Sequence, residues 1–219
     1  MLSTKSGNVL IIIAHPDDEV LGMGGTIKKL SAKNKIHLCV VTDGASAQYQ
    51  DKKMIDVRRN ACKKAGKILN IKNIEFLDFP DMKLDTVPHI EINNKLEKIV
   101  KKIRPKLVFT TPKNDYNKDH KIVYESTLVA TRPHQNIVDE IFSFEMPAYS
   151  KQEFSPTVFV NITKELQTKI KALKMYKSEI RKFPHPRSFD AIKALAMYRG
   201  IQSNLKYAEG FECIRSTIR

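Results

Sequence analysis

Residues Val9 to Ala14 form an unbroken apolar run that empties into His15-Pro16-Asp17-Asp18-Glu19. Apolar residues without polar alternation predict a strand covered on both faces, the mark of a parallel sheet between helical layers. The rest of the chain alternates in the same sense. Strands are predicted at Ile36–Thr42, Asn73–Leu77, Leu107–Thr111, Ile141–Glu145 and Thr157–Val160. Helices are predicted at Thr26–Ala32, Met54–Leu69, Ile90–Ile103, Asp119–Ala130, Lys164–Arg181 and Phe189–Tyr198, with Asp51 as N-cap and Asn70 as stop of the second. No repeat, low-complexity tract or Gly/Ser linker divides the chain, so residues 1–219 read as a single domain. The expected fold is α/β and Rossmann-like, a mainly parallel sheet sandwiched between helices.

A hydrophobic content of 42% is enough for a sizeable core and argues against disorder. No apolar run approaches the roughly 18–20 residues needed to span a bilayer, and MLSTKSGN lacks the layout of a secretory signal. Cys39, Cys62 and Cys213 show no CxxC spacing, so reduced thiols in a cytoplasmic protein are expected. The formal net charge of +14 is concentrated in residues 95–121 and 163–219. That excess reads either as solvated lysine faces or as attraction for an anionic partner: a phosphate-, nucleotide- or lipid-linked molecule, nucleic acid, or a membrane surface. The lack of tryptophan and of an RNA-recognition motif weighs against nucleic acid.

Ligands of open parallel sheets bind beyond the carboxyl ends of the strands, which directs attention to residues 14–19, 43–48, 78–83 and 112–120. Three carboxylates after one histidine repel one another unless a cation offsets them. Capping of the next helix is the alternative, but a cap needs one carboxylate only. His15 and Asp18 are spaced to converge on one ion, Asp17 stays free as a base, and His120 is the candidate third ligand. Two imidazoles, a carboxylate and an open position make a catalytic zinc set, although other divalent metals accept it too.

The chain resembles the LmbE/PIG-L family of zinc-dependent de-N-acetylases. The resemblance rests on Ala14-His15-Pro16-Asp17-Asp18-Glu19, the Gly22-Met23-Gly24-Gly25 turn, Val41-Thr42-Asp43-Gly44, the helix led by Arg58, and Phe79-Pro80-Asp81. It continues in Asp115-x-x-x-Asp119-His120, Ala196-Met197-Tyr198-Arg199-Gly200 and Ala208-Glu209-Gly210-Phe211. It implies an N-deacetylase acting on an N-acetylated amino sugar or sugar conjugate, with Zn2+ held by His15, Asp18 and His120 and with Asp17 as general base. Homo-oligomers are common in the family. The chain departs from many members at Asn117, where they carry a histidine. Asparagine can donate a hydrogen bond to an oxyanion but cannot titrate, so Asn117 is either a catalytic donor or the mark of a metal-binding subunit without activity.

By the same resemblance, Asp43, Arg58 and Asp81 contact the sugar; a turn beside Gly44 and a surface ion pair are the plainer readings of Asp43 and Arg58. His185 lies in Phe183-Pro184-His185-Pro186-Arg187, either a connector or a lid that brings His185 or Arg187 to an anionic group. His37 reads as a strand residue, His89 as a helix start, and His134 as a residue near the pocket. Gly22-x-Gly24-Gly25 lacks the third glycine of a dinucleotide fingerprint and reads as close helix–strand packing. There is no Walker lysine motif or GxSxG elbow.

Overall fold

The computed structural model describes residues 6–47, 53–148 and 152–218. Seven strands lie in one sheet: β1 (Asn8–Ile13), β2 (Lys35–Thr42), β3 (Asn73–Phe79), β4 (Leu107–Thr110), β5 (Glu140–Phe144), β6 (Val158–Asn161) and β7 (Ala208–Ser216). Their spatial order is β3-β2-β1-β4-β5-β7-β6. The first five are parallel, and β7 joins antiparallel between β5 and β6. The helices are α1 (Asp18–Leu30), α2 (Lys53–Leu69), α3 (His89–Ile103), α4 (Lys118–Ala130), α5 (Leu166–Leu173) and α6 (Phe189–Gln202). Asp51 falls outside the described residues.

Strand β1 shows why the sheet is covered twice. Val9, Ile11 and Ile13 point into a core shared with residues of α1, α2, α5 and α6, while Leu10, Ile12 and Ala14 pack against α3 and α4. The order of strands reverses between β1 and β4, so the crevice beyond their carboxyl ends is where a ligand of such a sheet is expected. His15 follows β1, and the segment leading to His120 follows β4.

Three departures from the sequence reading have physical causes. Helix α1 starts at Asp18, ahead of the glycines, and is interrupted at Met23, whose φ of −146° is not helical. A side chain at Gly22 would strike Phe144, its Cβ within 2.3 Å of the ring, so close packing on β5 outweighs the poor helix propensity of glycine. Helix α5 stops at Leu173, well before Arg181, because the chain turns there to bury Tyr176 against Glu19 of α1 and Glu179 against Arg58 of α2. Strand β7 was not predicted, since Glu209-Gly210 interrupts any apolar alternation.

Glu209 resolves that anomaly. Its carboxylate accepts the amide hydrogens of Gly25 (3.0 Å) and Thr26 (2.6 Å), capping the second half of α1 just after the interruption. Lys169 donates to the same carboxylate at 2.6 Å and to the Leu21 carbonyl at 3.0 Å. Both side chains are buried. Removing one partner strands the other's charge, so Lys169→Met is expected to cost about 3–5 kcal/mol in a urea melt. The double variant Lys169→Met/Glu209→Gln should recover part of that loss.

Candidate active site

The loop after β1 is built around one strained residue. Asp17 has φ 126°, ψ −24°, a region that side-chain-bearing residues seldom occupy. It stands at the N-cap of α1 but makes no side-chain capping bond, so the capping alternative does not hold. Its amide donates to Glu19 Oε2 at 3.2 Å, and Tyr176 Oη donates to Glu19 Oε1. Burial pushes the Glu19 carboxyl up to about 8, against the opposing pull of the Tyr176 hydrogen bond. Thr42 Oγ1 ties the β2 end to the Ala14 carbonyl at 2.8 Å. Gly44, at φ +67°, lets its loop close on Pro16, where a Cβ would lie 2.3 Å from the proline ring.

Three donors converge beside that loop. His15 Nδ1 lies 3.3 Å from His120 Nε2 and 3.5 Å from Asp18 Oδ2; His120 Nε2 lies 3.4 Å from the same oxygen. A tetrahedral ion with ligands at about 2.0–2.1 Å spaces them about 3.3–3.4 Å apart. The triangle therefore fits a zinc-sized ion, and its N, N, O composition suits one. The remaining ring nitrogens face carboxylates: His120 Nδ1 is 2.8 Å from Asp115 Oδ2, and His15 Nε2 is 3.1 Å from Asp119 Oδ2 and 3.3 Å from Asp81 Oδ1. Carboxylates in that position fix the tautomer and strengthen the ligand. His15, Asp81 and Asp119 also cluster closely enough for a cation. Asp119, however, already accepts the amides of Met82 (2.7 Å) and Leu84 (3.1 Å), which makes it a brace for His15 and for that loop.

The electrostatics favour positive charge at this point. Burial alone would lower the His15 pKa, yet Asp119, Asp18 and Asp81 outweigh it and hold the imidazole up to about 10. His120 is held up to about 9 in the same way, chiefly by Asp18 and Asp115. Burial works to raise Asp18, but the two imidazoles keep it well below the usual carboxylate range. Asp17 differs. Burial raises it to about 6 despite Arg187 and Arg58, and neither of its oxygens accepts a hydrogen bond among the described residues. Its lone pairs are thus uncommitted, 3.5 Å from Arg58 Nη2 and 3.6 Å from Arg187 Nη1.

The other sequence candidates occupy varied positions. Arg58 is buried, not on the surface. It donates to the carbonyls of Gly44 and, at 2.8 Å, Pro16, clamping the ends of β1 and β2 together. Asp43 Oδ1 accepts the amides of Ala45 and Ser46, both at 2.9 Å, closing the turn beside Gly44. Asp81 is buried next to His15; burial raises its carboxyl, with His15 and Arg58 pulling the other way. Asn117 is the N-cap of α4: its Oδ1 accepts the Asp119 amide at 2.9 Å, and its Nδ2 faces Met82 Sδ at 3.3 Å. His185 Nδ1 accepts the Arg187 amide at 3.1 Å, and it is Arg187 that reaches Asp17. His37 lies in β2, and His89 opens α3. His134 stands exposed just before β5, at the opposite end of the sheet, which corrects its placement near the pocket.

The sequence reading missed the bracing functions of Asp115 and Asp119. The signal was their spacing around His120, since a metal-binding imidazole needs an acceptor for its second nitrogen. Tyr176 and Glu179 carried no local signal.

Comparison with known proteins places the chain among deacetylases by family. The family model described as PIG-L, GlcNAc-PI de-N-acetylase, matches residues 10–131. Diacetylchitobiose deacetylase of Thermococcus kodakarensis is 28% identical, covering 94% of this chain and 82% of its own length. The uncharacterized deacetylase YaiS of Escherichia coli is 33% identical over 80% of this chain and 94% of its own. The fold also matches that of GalB, a 4-carboxy-2-hydroxymuconate hydratase from Pseudomonas putida KT2440, with a TM-score of 0.79 and 22% identity over 99% of this chain and 98% of that one.

Proposed function

Because the chain belongs to the PIG-L family of de-N-acetylases, we propose that it is a zinc-dependent hydrolase that removes the acetyl group from an N-acetylated amino sugar or sugar conjugate. The observation that carries this reading is the donor triangle beside an uncommitted carboxylate: His15, Asp18 and His120 at mutual distances of 3.3–3.5 Å, with Asp17 next to them in sequence. GalB has the same fold, so the scaffold alone does not select the chemistry.

His15 Nδ1, His120 Nε2 and Asp18 Oδ2 would hold the ion. When bound, such an ion lowers the pKa of water from about 15.7 towards 7 and polarises an amide carbonyl. Asp17 takes a proton from the attacking water and returns it to the departing amine, releasing acetate and a free amino sugar. Arg58 and Arg187 favour the ionised form of Asp17 that this requires. Asn117 is engaged as a cap through its Oδ1, which leaves only its amide hydrogens to offer an oxyanion.

The basic excess favours an anionic group on the sugar, such as a phosphate, a nucleotide or a lipid phosphate. Among the described residues no helix is long and apolar enough to cross a membrane. The test is amine release by the zinc-loaded protein from N-acetylglucosamine, diacetylchitobiose and phosphate-, nucleotide- and lipid-linked N-acetylglucosamine. Cleavage is expected, with the anionic substrates at least about tenfold better in kcat/KM, a difference of about 1.4 kcal/mol. A zinc-replete protein that cleaves none of them would refute the activity. Equal rates on neutral and charged sugars would refute the anionic preference alone.

A further inference from the structure

Asp17 sits in a closed ring of alternating charge. Its Oδ1 faces Arg58 Nη2 at 3.5 Å and its Oδ2 faces Arg187 Nη1 at 3.6 Å. Behind them, Glu179 Oε1 faces Arg58 Nε at 3.7 Å, and Glu179 Oε2 accepts from Arg187 Nη1 at 2.8 Å. Asp17, Arg58 and Glu179 are buried; the Arg187 side chain keeps 23% of its exposure.

The spacing has a chemical consequence. At 3.5–3.6 Å the guanidinium groups act on the carboxylate by charge but lie beyond hydrogen-bond distance. They therefore hold it between two positive charges, one facing each oxygen, without occupying the lone pairs that must accept a proton. Arg58 has a second duty, clamping the Pro16 and Gly44 carbonyls. Arg187 is delivered by the loop after α5, seated on Glu179 and facing Asp17.

We infer that Arg187 is a positioning residue for the base: docked on Glu179, it holds the Asp17 carboxylate in line with the reacting water. This rests on Asp17 being the base, as proposed above.

The test is steady-state kinetics of Arg187→Ala and Arg187→Lys, each with its zinc content and melting temperature. Arg187→Ala should lose about 10- to 100-fold in kcat while KM stays within about threefold and zinc content is unchanged. Arg187→Lys, which keeps the charge and loses the fork, should recover most of the rate. Added guanidinium ion should partly rescue Arg187→Ala. The inference is overturned by a parent-like kcat in Arg187→Ala, or by a loss confined to KM, which would make Arg187 a substrate contact. It is overturned equally by a loss that neither lysine nor guanidinium repairs. Should Arg187→Ala fail to fold, Arg187→Gln, which keeps most of the length and removes the charge, takes its place: an about 10- to 100-fold lower kcat supports the inference and a parent-like kcat overturns it. An inactive Asp17→Asn beside a fully active Arg187→Ala would sink this inference and leave the base intact. An active Asp17→Asn would instead remove the base reading itself.

Discussion

Asp17→Asn is expected to lower kcat for acetamide hydrolysis by about a hundred- to ten-thousand-fold, the range for removing a general base. The substitution keeps the shape of the side chain and removes only its capacity to take a proton. His15, Asp18 and His120 are untouched, so zinc content should match the parent. Stability should move the other way. Folding raises the Asp17 pKa to about 6, because burial penalises the charge more than Arg187 and Arg58 favour it. An acid whose pKa rises on folding costs stability above its unfolded value, here throughout the neutral range. In zinc-stripped protein the asparagine variant should therefore melt no lower than the parent. Lost activity with retained stability would mark Asp17 as a residue kept for chemistry at the expense of the fold. A variant that keeps its rate at full zinc occupancy would refute the assignment.

Dialysis against a chelator should lower the rate by at least about three orders of magnitude, since the ion moves the pKa of water from about 15.7 towards 7. Zinc should restore it. His120→Ala should show the same loss with little zinc retained, and added metal should not repair it. The uptake of zinc has its own signature. Asp115, Asp119, Asp81 and Asp18 hold His15 up to about 10 and His120 up to about 9, so both imidazoles carry an extra proton at pH 7 in the stripped protein. A metal must displace those protons, so binding should release about two per ion and weaken as pH falls. Calorimetry in buffers of different ionisation enthalpy measures the count. Release of no protons would refute the doubly protonated state of the stripped site.

The strands of the parallel half were legible because a two-sided apolar run is a strong signal, and five of them begin or end within a residue or two of their predicted places. The conspicuous failures share a cause. Glu209 disguised β7, and Tyr176 and Glu179 ended α5 early; each is a polar group buried for the sake of a partner far away in sequence. Local pattern cannot foresee such partners. The site divides along the same line. The donors come from short motifs at strand ends within residues 10–131, the matched segment. The surroundings of Asp17 come largely from residues 176–187 and are visible only in three dimensions.

The placement of β7 bears on how the molecule is made. A strand translated after the other six inserts between two of them, so while residues 208–216 are still inside the ribosome, β5 and β6 face an open slot. The helix that begins at Asp18 waits as well, because the carboxylate that caps its second half arrives from position 209. The nascent polypeptide can assemble its parallel half early, but the helix behind the strained Asp17 loop reaches its final rigidity only once residue 209 has emerged and docked.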